Sequence, residues 1–128
     1  MYIEYNPNPE GKNTDDCTIR AISKALDIDW DTAYVLLAYA GLMHRDMMHK
    51  NYVWGSLLEE HGFHRVSIPD TCPQCYSVRQ FAADNPRGLF VLGTGSHVVT
   101  VKDGAWYDMW DSGGEVPIIV YWRNDDGI

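Results

Sequence analysis

An α+β domain is the fold class this sequence predicts, and three observations predict it. Apolar residues recur at helical spacing between residues 17 and 61, and strand-like apolar runs take over from Gly88. Asp103-Gly104 stands between two of those runs as a hairpin turn. Helices first and strands second predict N-terminal helices, the first opened by Cys17, packed on a C-terminal antiparallel β-sheet. With 128 residues, 45% of them hydrophobic, the chain is long and apolar enough for one domain with a real core.

Tyr2 to Tyr5 reads as a short strand, followed by a loop rich in turn residues, Asn6-Pro7-Asn8-Pro9-Glu10-Gly11. The first helix spans Cys17 to Leu26 with Ile19, Ile22 and Leu26 as its core stripe, and Thr14, Asp15 or Asp16 can cap it. The second runs from Trp30 to Ala40 behind Asp29 or Asp31. It buries Ala33, Leu36, Leu37 and Ala40, and Gly41 ends it. Tyr34 is assigned to the core, and Met43 to Asn51, with His44 and His49, to an irregular covering loop that can border a groove. Val53 to His61 is a third helix, Phe63 to Ile68 a strand, and Ser77 caps a short helix over 78–83. Four more strands follow: 89–92, 97–101, 105–110 and 117–122.

The net charge of −8 excludes a nucleic-acid partner, because phosphate binding needs a basic face. The longest apolar run, Ala33 to Met43, is too short to span a bilayer, so no membrane partner is expected. Met1-Tyr2-Ile3-Glu4-Tyr5 has neither the basic nor the apolar region of a signal peptide. A cytoplasmic location with three reduced cysteines is therefore expected.

Cys17 would sit in the first turn of its helix, where the helix dipole favours a thiolate, so it is a candidate nucleophile. The base that could serve it is His97, which follows Gly93-Thr94-Gly95-Ser96 and opens a strand at the mouth of a hairpin. The register of that hairpin decides which acid orients His97. A two-residue Asp103-Gly104 loop sets His97 opposite Trp110 and puts Asp108 on its face. A bulged Lys102-Asp103-Gly104 loop sets His97 opposite Met109 and makes Asp111 the neighbour. The second register keeps Val99, Val101, Ala105, Tyr107 and Met109 on one apolar face, whereas the first opposes Val99 to Asp108 in the core. Asp111 is therefore the preferred orienting acid and Asp108 the alternative. Trp106 and Trp110 then lie on the opposite face and need cover from a helix or a partner.

Helix start, strand start, end of the next strand: that order of Cys17, His97 and Asp111 resembles the papain-like cysteine peptidases. The matching residues are Asp-Cys-Thr-Ile-Arg-Ala at 16–21, Ser-His-Val-Val-Thr-Val at 96–101 and Trp-Tyr-Asp-Met-Trp-Asp-Ser at 106–112. Cys17 and His97 lie 80 residues apart, which is similar to compact members such as bacteriocin-leader-processing peptidase domains and, more loosely, Josephin-type domains. The resemblance implies a hydrolase that cleaves peptide or isopeptide bonds through an acyl-enzyme, with a polypeptide substrate and no cofactor. Relatives carry a glutamine five or six residues before the cysteine. Here Gly11 and Lys12 stand there, so Asn13 is the amide assigned to the oxyanion, beside the backbone N–H of Cys17. Asp15 and Asp16 oppose thiolate formation while the helix terminus favours it.

Two further readings compete. One is an inactive papain-like domain that binds a protein partner. The other is a zinc-stabilised interaction module whose ligands are His61, His64, Cys72 and Cys75, since two close pairs of N and S donors can hold a structural ion. A thioredoxin-like role for Cys72 and Cys75 lacks the βαβ setting that such motifs require.

Overall fold

The computed structural model describes residues 1–69, 72 and 74–124, and over these the chain is an α+β fold of four helices and one six-stranded mixed sheet. In chain order the elements are β1 (Tyr2–Glu4), α1 (Cys17–Leu26), α2 (Trp30–His44), α3 (Asn51–Glu60), β2 (His64–Ser67), α4 (Val78–Asp84), β3 (Leu89–Gly93), β4 (Val98–Lys102), β5 (Ala105–Asp108) and β6 (Ile119–Arg123). The sheet order is β1-β5-β4-β3-β6-β2. The expected all-antiparallel C-terminal sheet is thus corrected at both edges. β1 comes from the N-terminal segment and pairs with β5 in parallel, and β2 from the middle of the chain closes the other edge against β6.

The apolar patterning explains the layers. β3 and β4 are buried on both faces, as their continuous apolar runs require. On one face Val91, Val98 and Tyr121 meet Ile22, Leu37, Trp54 and Leu58 of α1, α2 and α3. On the other Leu92, Val99, Val101, Trp106 and Val120 meet Val78, Phe81 and Ala82 of α4. Trp106 therefore finds its cover in α4, while Trp110 stays half exposed. Gly93 is fixed by packing, because a Cβ there would come within 2.8 Å of Trp54 and 2.9 Å of Ile119.

Capping follows the sequence in two of the helices. The Asp29 side chain accepts from the Thr32 N–H at the start of α2, and Ser77 and Gln80 form a reciprocal capping box on α4. At α1 the residue before the helix is Asp16, but its carboxylate caps nothing and is used elsewhere.

Two expectations about α2 are corrected. Gly41 does not end the helix, which continues to His44 and stops at Arg45 in the left-handed conformation. Gly41 lies inside the helix, where glycine is required because a Cβ would meet the Asp46 carbonyl oxygen at 2.8 Å. Tyr34 is not core: it is 45% exposed and packs against the Trp30 ring. α2 is apolar on nearly every face, so periodicity cannot select its buried side.

The β4–β5 hairpin takes the two-residue loop, with Lys102 opposite Ala105 and Val101 opposite Trp106. Asp103 and Gly104 both adopt positive φ, as a tight turn that matches the strand twist demands. The bulged register expected from the apolar pattern is therefore wrong. Extending the observed pairing sets Val99 against Asp108, and Asp108 is fully buried.

Candidate functional site

Asp108 tolerates burial because four donors surround its carboxylate. Arg20 donates to Oδ1 at 2.8 Å, as does the Met109 N–H at 2.8 Å. The Ser112 hydroxyl and His97 Nε2 meet Oδ2, each at 2.6 Å. A buried charge with this many partners escapes the penalty that an unpaired one incurs.

The same guanidinium also holds Asp16, and the Trp30 indole N–H donates to the other Asp16 oxygen at 2.8 Å. Asp16, Arg20 and Asp108 are all under 5% exposed, so the ion triad lies inside the protein. The sequence suggests a capping role for Asp16 and a charge that opposes the thiolate, but no partner for it, and no role for Arg20. The signal was there: Asp16 and Arg20 stand four apart, and Arg20 adjoins Ile19 on the buried side of α1.

His97 is presented by a turn with little freedom. The Thr94 hydroxyl accepts from the N–H groups of Ser96 and His97 at 3.0 and 2.8 Å, and the Thr94 N–H donates to the His97 carbonyl at 2.8 Å. Across the sheet, the Thr100 hydroxyl of β4 donates to the Ala21 carbonyl of α1 at 2.7 Å, which ties the strand that follows His97 to the helix that begins with Cys17. The exposed Trp110 ring lies 4.9 Å from the imidazole, centre to centre, and covers it.

Cys17 is a free, half-buried thiol hydrogen-bonded to the His97 side chain. With Nε2 committed to Asp108, Nδ1 is the ring nitrogen left for the thiol. Burial alone would raise the Cys17 pKa, but the hydrogen bond and charge of His97, with the Val98 backbone and Thr18, bring it below its ordinary value. Burial alone would lower His97, but Asp108 and Cys17 push it up to about 9. Asp108 is held below the usual carboxylate range: its burial acts upward, and the bonds from His97 and Ser112 outweigh it. The shifts together favour a thiolate–imidazolium pair, with His97 the main group that lowers the thiol.

Asp111, the acid expected beside His97, is elsewhere. Its carboxylate accepts from the Trp106 indole at 2.9 Å and the Gly113 N–H at 3.0 Å, and faces Arg79 at 3.8 Å on the surface. The one-residue difference in register carried it off the histidine's face, and Asp108 takes the place assigned to Asp111.

Asn13 lines a cleft of about 250 Å³ together with Asp15, Cys17, His97, Met109 and Trp110. A second, smaller recess of about 70 Å³ adjoins the same thiol and imidazole and is walled by His49, Asn51, Thr94 and Gly95. His49, Asn51 and Gly95 also wall a third cavity of about 670 Å³. The three adjoin one another through shared walls, Cys17 and His97 lining the first two, and the segment between α2 and α3 borders the second and third through His49.

No family model, curated protein or solved structure matches this chain.

The four residues weighed as zinc ligands do not form a metal centre. Cys72 and Cys75, with Cα atoms 4.2 Å apart, are joined in a disulfide, which removes the thiolates that zinc requires and corrects the expectation of three free thiols. His61 Nδ1 is bonded to the Leu57 carbonyl at 2.8 Å, and His64 stacks on Trp122. No cluster of three or more metal-ligating side chains occurs among the described residues. No helix among them is long and apolar enough to cross a membrane.

Proposed function

We propose that this chain is a papain-like cysteine hydrolase that cleaves a peptide or isopeptide bond by acyl-enzyme chemistry. The observation that carries this reading is the unbroken chain Cys17–His97–Asp108, with the thiol lowered and the imidazole raised, open to one groove.

The Cys17 thiolate attacks the carbonyl carbon, forming the C–S bond as the carbonyl π electrons move onto oxygen. The backbone N–H of Cys17, which opens α1 and has no carbonyl ahead of it in the helix to bond, donates to that oxyanion, and the Asn13 amide is the second donor. As the C–N bond breaks, the His97 imidazolium gives its proton to the leaving amine. Neutral His97 then takes a proton from water, the hydroxide displaces the thioester sulfur, and the acid product leaves with thiolate and imidazolium restored. Asp108 accepts from Nε2 throughout, which fixes the ring so that Nδ1 faces the thiol and stabilises the imidazolium. Neither metal nor cofactor is needed to balance these steps.

Iodoacetamide labelling of the native protein without reductant tests the reading. Cys17 is expected to react at pH 7 faster than free cysteine, and His97→Ala should slow it at least tenfold, as a thiol returned to its ordinary range is mostly protonated there. A Cys17 that labels only after denaturation would sink the hydrolase and leave a binding domain of the same fold.

A further inference from the structure

The largest of the three cavities carries a charge unlike the rest of the chain. The protein has 18 acidic and 10 basic side chains, yet Lys50 and Arg65, with His49 beside them, line this cavity and no carboxylate among the described residues does. None of the three forms a salt bridge among the described residues. Two acids among the described residues border this wall. Asp46, which faces His49 and Lys50, takes the Tyr52 hydroxyl and the Met47 N–H, and Glu59 sits behind Tyr121 on α3.

Arg65 lies beside the hydroxyl of Tyr121, itself buried, and its planar guanidinium fork can take a carboxylate through two N–H donors. Ile118, Ile119 and Tyr52 supply apolar wall beside the cations, and Asn51 and Ser67 add neutral polar groups.

We infer that this cavity is a specificity subsite for a carboxylate on the polypeptide that occupies the groove, either a Glu or Asp side chain or a free C-terminus. The guanidinium fork matches a carboxylate in shape, and the apolar wall seats the methylenes that carry it. A polyanion such as nucleic acid does not fit: two cations, Lys50 and Arg65, on one wall face the repulsion of a chain at −8. Through His49, Asn51 and Gly95 the subsite continues into the recess beside Cys17, so the carboxylate would lie on the side of the reacting bond away from Asp15. As a statement about substrate choice, the inference rests on the hydrolase reading; as a statement about binding, it does not.

The test uses full-length Cys17→Ala protein and fluorescein-labelled hexapeptide pools, with Glu, Gln or Lys fixed at each position in turn. Each pool is made with free and amidated C-termini, and binding is read by anisotropy. At one position, or at the free terminus, the carboxylate pool should bind about fivefold tighter than its neutral counterpart for each cation engaged, the upper end for an exposed ion pair. Raising NaCl from about 0.05 to 0.5 M should erase the preference. Lys50→Gln with Arg65→Gln should erase it too, and the salt series gives the same answer if that variant does not fold. Equal binding of Glu and Gln pools, or tighter Lys pools, overturns the inference. Wild-type protein given the same pools separates the two readings. Cleavage indifferent to the carboxylate refutes the subsite alone, and carboxylate-selective binding without cleavage refutes the hydrolase alone.

Discussion

Arg20→Met is the substitution that most directly probes how the site is held together. Methionine keeps the apolar stem of Arg20 but leaves Asp16 and Asp108, 3% and 0% exposed, without their shared cation. Removing one partner of a buried ion pair costs about 3–5 kcal/mol, because the remaining charge stays desolvated. Against a domain stability of about 5–15 kcal/mol that is a large fraction. With a urea slope of about 2 kcal/mol/M, the unfolding midpoint should fall by roughly 2 M at pH 7. The loss should also depend on pH in a definite direction. In the wild-type protein the folded Asp108 pKa is depressed, so its contribution is present above the unfolded value and fades as pH falls through the folded one. Without Arg20 that depression shrinks, a neutral carboxyl bears burial better, and the variant loses less on acidification. The gap between the two proteins should therefore hold from pH 7 down to about 4, the unfolded carboxylate value, and narrow below it. A loss below about 1 kcal/mol at pH 7, or a gap that stays constant below about pH 4 as well, would refute the ion triad as the support of the site.

Two other outcomes follow from the same geometry. Asp108→Ala should lower peptide turnover by about 10³-fold or more, the scale seen when a triad loses its orienting acid, whereas Asp111→Ala should leave it within about threefold; equal losses in steady-state assays would contradict the observed register. Turnover should rise with pH on a limb below the ordinary thiol value, set by Cys17, and fall near pH 9 as the imidazolium is lost. Alkylation of Cys17 should not fall there, since it needs no proton donor, and a single alkylation midpoint at the ordinary thiol value of about 8.5 would count against the ion pair.

Much of the architecture was legible because periodicity and turn chemistry agree at α1, α4, β3 and β4, and the Thr94–His97 turn is marked by its own residues. The hairpin register was misread for a physical reason. A buried carboxylate was treated as a defect, although a buried carboxylate with a buried arginine is acceptable, and Arg20 lies 88 residues away in sequence. Long-range pairing of that kind leaves no local periodicity to read. Asp103-Gly104, the strongest local signal in the hairpin, did point to the two-residue loop that formed. Tyr34 and Gly41 were misplaced because α2 is apolar on nearly all sides, so its tertiary neighbours alone decide which residues are covered.

The order in which the groups appear along the chain has a consequence for biosynthesis. Cys17 leaves the ribosome first, and His97 is added 80 residues later, about 4–16 s at elongation rates of about 5–20 residues/s. During that interval the groups that lower the thiol are missing: His97 and Val98 have not been added, and α1 has no β4 to dock on through Ala21 and Thr100. The nascent chain thus carries an ordinary, mostly protonated cysteine, and its reactivity is switched on only when translation has delivered the strands that close the sheet.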